Sequence, residues 1–343
     1  MRSDEQSAAT GGDVPAIAGP MMQAVVQDAY GTADVLRLAS IAAPEVGEGE
    51  VLLRVRAAGL DRGTWHLMTG RPYLIRLVSG IRTPRNPVVG RDVAGTVLAI
   101  GPGVTRFAVG DEVYGFSKGS FAEYAVALEA KLARKPANIS FEQAAVIPVS
   151  GLTALQALTD VGQVTAGQQV LVIGASGGVG SYAVQLAKAF GAEVTGVCST
   201  AKQDLVRSLG ADHVIDYTRA DFADGGHRYD LILDLGGNPK LSRLRRALAP
   251  AGTLVIAGGE EGGSVAGGID RQLRGMVLSL FVGQRLTTMI CKENAADLER
   301  LTDLVEAGKV TPRIDRTYAL DQAAEAMRQL EAGRVAGKVA ISI

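Results

Sequence analysis

The segment VLVIGASGGVG, Val170 to Gly180, is the most chemically pointed stretch of the chain. It reads as a buried strand that runs into a glycine turn and then a helix. Set against G-x-G-x-x-G, the pattern positions fall on Ala175, Gly177 and Gly180, with Gly174 and Gly178 as extra glycines. Gly177 lets the backbone approach a pyrophosphate, and Gly180 lets the helix pack close to the strand. The open N–H groups at the helix N-terminus then meet the phosphate charge. In a strand-turn-helix setting, with another strand following, the pattern points to a dinucleotide. The competing reading is a glycine turn that binds nothing.

The strand after that helix, AEVTGVC, ends where such sites usually carry an Asp or Glu for the adenosine ribose. Here the residue is Cys198, followed by Ser199, Thr200 and Lys202. A carboxylate would repel a 2′-phosphate. The hydroxyls of Ser199 and Thr200 can donate to one, and Lys202 supplies a compensating charge. The exchange predicts NADPH rather than NADH. Against it stands the reading of Lys202 as a solvated residue on the next helix.

These residues need elements to hold them. The 343 residues favour roughly two domains of about 150 residues. Apolar residues make up 47%, enough for a sizeable core. Glycine is abundant, at 43 residues, which suits tight strand-to-helix turns. Lys and Arg number 35 against 36 Asp and Glu, with no basic run, so a nucleic-acid partner is not expected. The two cysteines, Cys198 and Cys291, exclude a disulfide scaffold and a four-thiolate zinc site, and suggest a reducing, cytoplasmic compartment. No apolar run reaches the ~18 residues of a span, so no membrane partner is expected. The polar first 20 residues lack the pattern of a signal peptide and read as a flexible tail before a fold that starts near Met21.

From Met22 to about Pro148 the chain reads as strands and turns. VLLRVRAAGL alternates, DVAGTVLAIGPGV is β-branched, FAVGDEVYGF turns at Gly110-Asp111, and GSFAEYAVAL adds a strand; the set suggests a small barrel. Beyond it, strands and helices alternate: QQVLVIGA, a helix over Gly180 to Phe190, AEVTGVC, a helix over Ala201 to Leu209, HVIDY, YDLILDLGG and GTLVIAGG. This rhythm predicts a parallel sheet with helices on both faces. ENAADLERLTDLVEAGKV and LDQAAEAMRQLEAG read as helices, the second starting at Asp321 and stopping at Gly333, and GKVAISI as a closing strand. Met276 to Cys291 offers an apolar edge for pairing across a two-fold axis, or else a buried core strand.

These segments, in this order, resemble the medium-chain dehydrogenase/reductase superfamily, and more closely its zinc-independent quinone oxidoreductase and enoyl reductase branch. The resemblance rests on VLLRVRAAGL, NPVVGRDVAGTV, VGDEVYGF, GSFAEYAV, VIPVSGLTALQAL, VLVIGASGGVG, LAKAFGAEVTGVCST, LGADHVIDY, YDLILDLGG, GTLVIAGG and GKVAISI, and covers about Met22 to Ile343. It implies an α/β protein. A Rossmann domain with a doubly wound parallel sheet spans 148–291, and a GroES-like β-barrel catalytic domain spans 21–147, completed by 292–343. The active-site cleft lies between them, and a homodimer is implied. The family's zinc enzymes carry Cys in the segment matching GLDRGTW and Gly-His-Glu in that matching GRD. Here those positions hold Asp61 and Gly90-Arg91-Asp92, and the three histidines fall in unrelated segments, so no metal is expected.

The resemblance further implies Thr153 near the phosphate–nicotinamide end and Ser176, Gly178 and Val179 on the pyrophosphate. It puts Ser199, Lys202 and Tyr217 around the 2′-phosphate, Leu235, Gly236 and Gly258 beside the nicotinamide, and Arg334 or Lys338 closing over the cofactor. Tyr217 as plain packing is the other reading. Reduction of an enone leaves an enolate that needs a proton. Tyr73 is the first candidate donor, because related enoyl reductases place a tyrosine in a similar segment; alternatively it only shapes the pocket. His66 is the second, and bulk solvent a third. Trp65 is a candidate apolar wall. Asp61 pairs with Arg62 or Arg91 in this reading. Arg76, Arg82 and Arg85 either attract an acidic substrate or face solvent, the simpler reading. The expected activity is NADPH-dependent reduction of quinones or α,β-unsaturated carbonyl compounds. The rivals are an alcohol or carbonyl dehydrogenase working without metal, and a non-catalytic NADPH-binding sensor.

Overall fold

A computed structural model describes residues 21–258 and 267–343. The expected tail before Met21 lies outside the described residues. The strands are β1 (Met21–Val26), β2 (Arg37–Ala42), β3 (Glu50–Leu60), β4 (Asp92–Ile100), β5 (Glu112–Phe116), β6 (Tyr124–Leu128), β7 (Leu132–Arg134), β8 (Gln169–Ile173), β9 (Glu193–Cys198), β10 (His213–Asp216), β11 (Tyr229–Asp234), β12 (Leu248–Ile256), β13 (Arg285–Thr288), β14 (Ile314–Ala319) and β15 (Lys338–Ser342). The α-helices are α1 (Arg62–Thr69), α2 (Arg76–Ser79), α3 (Phe141–Ala145), α4 (Pro148–Gln156), α5 (Gly178–Ala189), α6 (Gln203–Ser208), α7 (Leu241–Ala247), α8 (Ile269–Ser279), α9 (Ala295–Glu306) and α10 (Ala323–Glu331).

One sheet runs β14-β15-β3-β4-β5-β7, with β6 also on β3; all its pairings are antiparallel except β14 with β15. Along β3 burial alternates over the first residues and then becomes continuous over Ala57 to Leu60, where α3 covers the second face. Gly59 permits that approach: a Cβ there would lie 2.3 Å from the Ala145 carbonyl oxygen. β1 and β2 form a separate ribbon.

The other sheet is wholly parallel, in the order β10-β9-β8-β11-β12-β13. The chain moves outward from β8 to β10, then returns to β11 on the other side of β8. The order therefore reverses between β8 and β11, and a crevice opens at their C-terminal ends, where doubly wound sheets bind ligands. A single apolar core joins the two sheets. Tyr114 and Phe116 of β5 share it with Val170 and Val172 of β8, around Leu152 and Leu155 of α4 and Leu298 and Leu301 of α9.

Several boundaries differ from the expected ones. The glycine-turn helix begins two residues earlier, at Gly178, because the turn itself supplies its first N–H groups. A 3-10 turn over Thr200–Lys202 precedes α6, which starts at Gln203. The apolar stretch Met276 to Cys291 is neither one edge strand nor one core strand. Met276 to Ser279 finish α8, and only Arg285–Thr288 pair, at the outer edge of the parallel sheet.

Candidate active site

The crevice begins at Gly174, which takes a left-handed φ of 84° as the chain leaves β8. Its neighbour across the switch point is Gly236: a Cβ on Gly174 would lie 3.1 Å from the Gly236 nitrogen. At Gly180 a Cβ would lie 2.1 Å from the Gly174 carbonyl oxygen, so a side chain there would push α5 off the strand. Gly177 is the N-cap of α5 and has no side chain to satisfy its first N–H groups, which are left for an anion. Ser176 is buried beside it, and its carbonyl accepts from Gly337 N at 2.9 Å. Val179 packs its side chain against the shared core, so only its backbone can face a phosphate.

A hollow of about 480 Å³ extends from this turn, with Ser176, Cys198, Ser199, Lys202, Tyr217 and Gly236 on its walls. The expected adenosine-side residues are thus brought together, with one exception. Thr200 turns away and donates its hydroxyl to Asp216 Oδ2 at 2.5 Å, which corrects its expected role as a phosphate donor. Lys202 donates to the carbonyls of Val335 at 2.7 Å and Gly333 at 3.2 Å. An ammonium has three N–H groups, so one remains for a ligand. Arg334, between the two bonded carbonyls, is exposed and does not line the hollow. Cys198 is buried, which pushes its thiol upward; Asp216 adds to this, and the residue serves as packing rather than as a nucleophile. Sequence reasoning missed Arg243, a second cation on this wall, held by Asp221 Oδ1 at 2.7 Å. It comes from α7, about 40 residues past Lys202, and carries no local signal.

On the other side of the switch point, Leu235 follows β11 and Gly258 follows β12. Both Ala257 N and Gly258 N donate to the Asp234 carbonyl, at 3.1 and 3.0 Å. Beneath them lies a buried ion pair that sequence reasoning also missed. Arg271 of α8 donates to Asp234 Oδ2 at 2.6 Å, to the Pro239 carbonyl at 3.1 Å and to the Gly258 carbonyl at 3.3 Å. Burial pushes the Asp234 carboxyl up to about 6, against the pull of Arg271. Thr153, on α4, donates to the Val149 carbonyl at 2.7 Å and faces Cys291.

The cleft floor is a polar cluster. Asp92 is wholly buried and accepts from Val149 N at the start of α4, at 3.2 and 3.3 Å. Burial holds its proton well above the carboxylate range; Asp61 adds to this and Lys338 opposes it. Lys338, 2% exposed, lies 3.9 Å from Asp92 and donates to Ser150 Oγ at 3.0 Å. Its stem sits 3.1 Å from where a Cβ on Gly178 would be. Lys338 therefore underlies the glycine turn, which corrects its expected closing over the cofactor and leaves Arg334 as the other candidate. Asp61 is the N-cap of α1, accepting from Thr64 N at 2.8 Å, and its Oδ2 is buried without a partner. Arg91 makes its ion pair with Glu293, which also binds Lys131, so of the two partners expected for Asp61 the Arg91 one is engaged elsewhere.

Tyr73 opens a short 3-10 turn and is 43% exposed, with the Arg76 guanidinium 4.8 Å from its ring. His66 Nδ1 lies 2.6 Å from the Arg71 carbonyl. A carbonyl only accepts, so Nδ1 carries the hydrogen and Nε2 of the neutral ring is left as an acceptor. Trp65 packs edge-on against His66 and is partly buried against a core that includes Leu60, Met68 and Phe121. Tyr73 follows two residues after the Arg71 carbonyl that His66 binds, but neither Tyr73 nor His66 borders the hollow beside the glycine turn.

A doubly wound sheet with its switch-point crevice, set against an antiparallel roll, defines a dinucleotide-binding class. Residues 47–137 match the alcohol dehydrogenase GroES-like domain family, and residues 209–341 match a family described as zinc-binding dehydrogenase. The chain belongs to the medium-chain dehydrogenase/reductase superfamily, in its quinone oxidoreductase-like branch. It is 35% identical to 2-methylene-furan-3-one reductase of Solanum lycopersicum, over 91% of this chain and 76% of that protein. It is 33% identical to the chloroplastic quinone-oxidoreductase QR1 of Triphysaria versicolor, over 95% of this chain and 99% of that one. The solved quinone oxidoreductase of Coxiella burnetii superposes with a TM-score of 0.83 at 29% identity, covering 94% and 100% of the two chains. A mycobacterial protein solved with NADPH superposes at 0.80 and 27% identity, covering 94% and 100%. One family description names zinc; among the described residues no group of three or more His, Cys, Asp or Glu could hold a metal ion.

Proposed function

We propose that this chain is an NADPH-dependent, zinc-independent reductase of quinones or of the activated C=C bonds of α,β-unsaturated carbonyl compounds. The observation that carries the cofactor is the wall after β9, where Lys202 keeps one N–H toward a hollow whose acidic residue is replaced by Cys198 and Ser199. The activities named for the tomato and Triphysaria relatives support the substrate class. An NADPH-dependent alkenal/one oxidoreductase of Arabidopsis thaliana, 35% identical, supports both cofactor and substrate.

When bound, NADPH supplies a hydride. The chain's residues do the rest. The α5 N-terminus with Ser176, Gly177 and Gly178 holds the pyrophosphate, and Ser199, Lys202, Tyr217 and Arg334 surround the 2′-phosphate. Leu235, Gly236 and Gly258 border the nicotinamide, with Thr153 across from them. Lys338 and Asp92 fix the floor. Tyr73 supplies the proton that an enolate needs, with His66 as its neighbour and Asp61 holding α1 in place. The domain division is 21–147 with 292–343 against 148–291. The two thiols without a disulfide support a cytoplasmic setting, and the β13 edge supports a homodimer.

The test is loss of nicotinamide absorbance with NADPH and a panel of quinones and enones, beside an alcohol panel with NADP. Turnover of an enone or quinone is expected. Binding of NADPH without turnover of either panel, or turnover of alcohols alone, would overturn the reading.

A further inference from the structure

Between Asp61 and Asp92 the chain has no acidic residue and six arginines, Arg62, Arg71, Arg76, Arg82, Arg85 and Arg91. This is unusual in a protein whose charges otherwise balance at −1. The centre of the stretch, residues 71–85, is also apolar at its surface. Leu77 is 65% exposed and Val78 and Ile81 are each 70% exposed, with Leu74 nearly half exposed beside them. These side chains belong to α2 and the turns on either side of it. Arg71, Arg82 and Arg85 are exposed, and among the described residues none of the three forms an ion pair or side-chain hydrogen bond. The segment is well anchored from below: Tyr30 donates to the Gly80 carbonyl, Arg76 stacks on Tyr30 at 4.5 Å, and Arg76 Nε donates to the Gly70 carbonyl at 3.0 Å. Leu77 and Ile81 are therefore held outward on a firm base rather than left over from poor packing, while Val78 and Arg85 also line a hollow of about 250 Å³ beside α1.

We propose that segment 71–85 is a peripheral docking face for an anionic phospholipid surface. Unpaired arginines interleaved with protruding Leu, Val and Ile match a bilayer interface, which offers phosphate charge and an apolar layer at the same depth. A polyanion in water would pair with the arginines but leave Leu77, Val78 and Ile81 exposed. A second apolar patch, around Leu280 and Phe281, adjoins an edge strand suited to a second copy; among the described residues the 71–85 face has no strand. The expectation of no membrane partner rested on the lack of a spanning run, and a segment that lies on the surface needs none. The face continues directly from α1, which carries His66, so docking would set that end of the cleft at the level where lipophilic molecules partition. That last clause rests on the proposed substrate class; the docking itself does not.

The experiment is sedimentation of the full chain with vesicles of phosphatidylcholine alone or with about 30% phosphatidylglycerol, without cofactor or substrate. Binding to the anionic vesicles is expected, with little to the neutral ones, and loss in ~0.5 M salt. Leu77→Ser/Ile81→Ser and Arg71→Ser/Arg82→Ser should each weaken partitioning about tenfold or more while thermal melts stay unchanged. No binding at low salt, binding equal in all three proteins, or binding to RNA without binding to vesicles would each overturn the proposal. So would a change of oligomeric mass in lipid-free solution caused by Leu77→Ser/Ile81→Ser, which would assign the face to a second copy. None of these readouts depends on turnover, so they stand or fall apart from the reductase reading.

Discussion

Lys202 carries two tasks with one ammonium: it holds the Gly333 and Val335 carbonyls and faces the hollow beside the glycine turn, where the proposed function puts the nucleotide. A charge-assisted hydrogen bond to phosphate contributes about 1.5–3 kcal/mol, so Lys202→Ala should weaken NADPH roughly ten- to hundredfold. NADH, which offers no charge there, should change by less than about threefold. Titration calorimetry with both dinucleotides checks this, and parallel losses would mean that the lysine only braces the Gly333 loop. Tyr73→Phe separates two roles for the phenol. As a proton donor it should lower kcat with enones by about a hundredfold at nearly constant KM. As a pocket wall it should move KM instead. Asp61 acts one step back: its carboxylate caps α1, so Asp61→Ala should cost about 1 kcal/mol in thermal melts, and Asp61→Asn should recover most of it.

Helix α8 is tied to the crevice by Arg271, which reaches the ends of β11 and β12 and the Pro239 turn. Removing one partner of a buried pair leaves the other charge without compensation. Arg271→Met should therefore destabilise by roughly 3–5 kcal/mol and raise the KM for NADPH by loosening the wall from Gly236 to Pro239. The pair also sets a pH dependence. Its carboxyl is raised from the ordinary 3.8 to about 6, so the folded chain binds this proton more tightly than the unfolded chain does. The contribution of Asp234 to stability is thus greatest below about 4, falls as pH rises toward about 6 and is constant above that. Melting Asp234→Asn beside the parent protein from pH 4 to 7 should show the variant gaining on the parent across that window, then running parallel. This pair shows where the sequence stops being legible. The glycine turn, β8, β9 and the missing acid can be read because their signals lie within one strand-turn-helix unit, where spacing dictates contact. Asp234 and Arg271 are 37 residues apart, and nothing local marks either as a partner. Lys338 and Ser150 are 188 apart, so nothing local marks Lys338 as a buried floor residue, and the resemblance places it or Arg334 over the cofactor instead. Thr200 fails for a nearer reason: Asp216 at the end of β10 competes for its hydroxyl, and only the parallel pairing of β9 with β10 brings them together.

At the scale of the whole molecule, one of the apolar cores spans both sheets, and residues 333–338 tie the barrel to the glycine turn and its neighbours through Lys202, Ser176 and Ser150. Losing either sheet would open that shared core, so calorimetry should record a single unfolding transition, raised as a whole by NADPH. Among the described residues, no strand pairs with the outer side of β13 at the edge of the parallel sheet. β13 pairs with β12 on one side only, and an open edge is a template for another strand. Beside it Leu280 and Phe281 are 80% and 79% exposed, and α8 presents Leu273 and Val277 as well. An edge strand flanked by apolar side chains is self-complementary about a two-fold axis, since antiparallel pairing of β13 with its copy would continue the sheet and bury both patches. Leu280→Asp/Phe281→Asp puts two charges into that contact while altering nothing in the core, because both side chains already face solvent. Sedimentation equilibrium should then shift from the mass of two chains to one of 35.6 kDa, with the thermal melt of the monomer still cooperative. A parent protein that already sediments as one chain, or a variant that keeps the doubled mass, would rule out this edge as the contact.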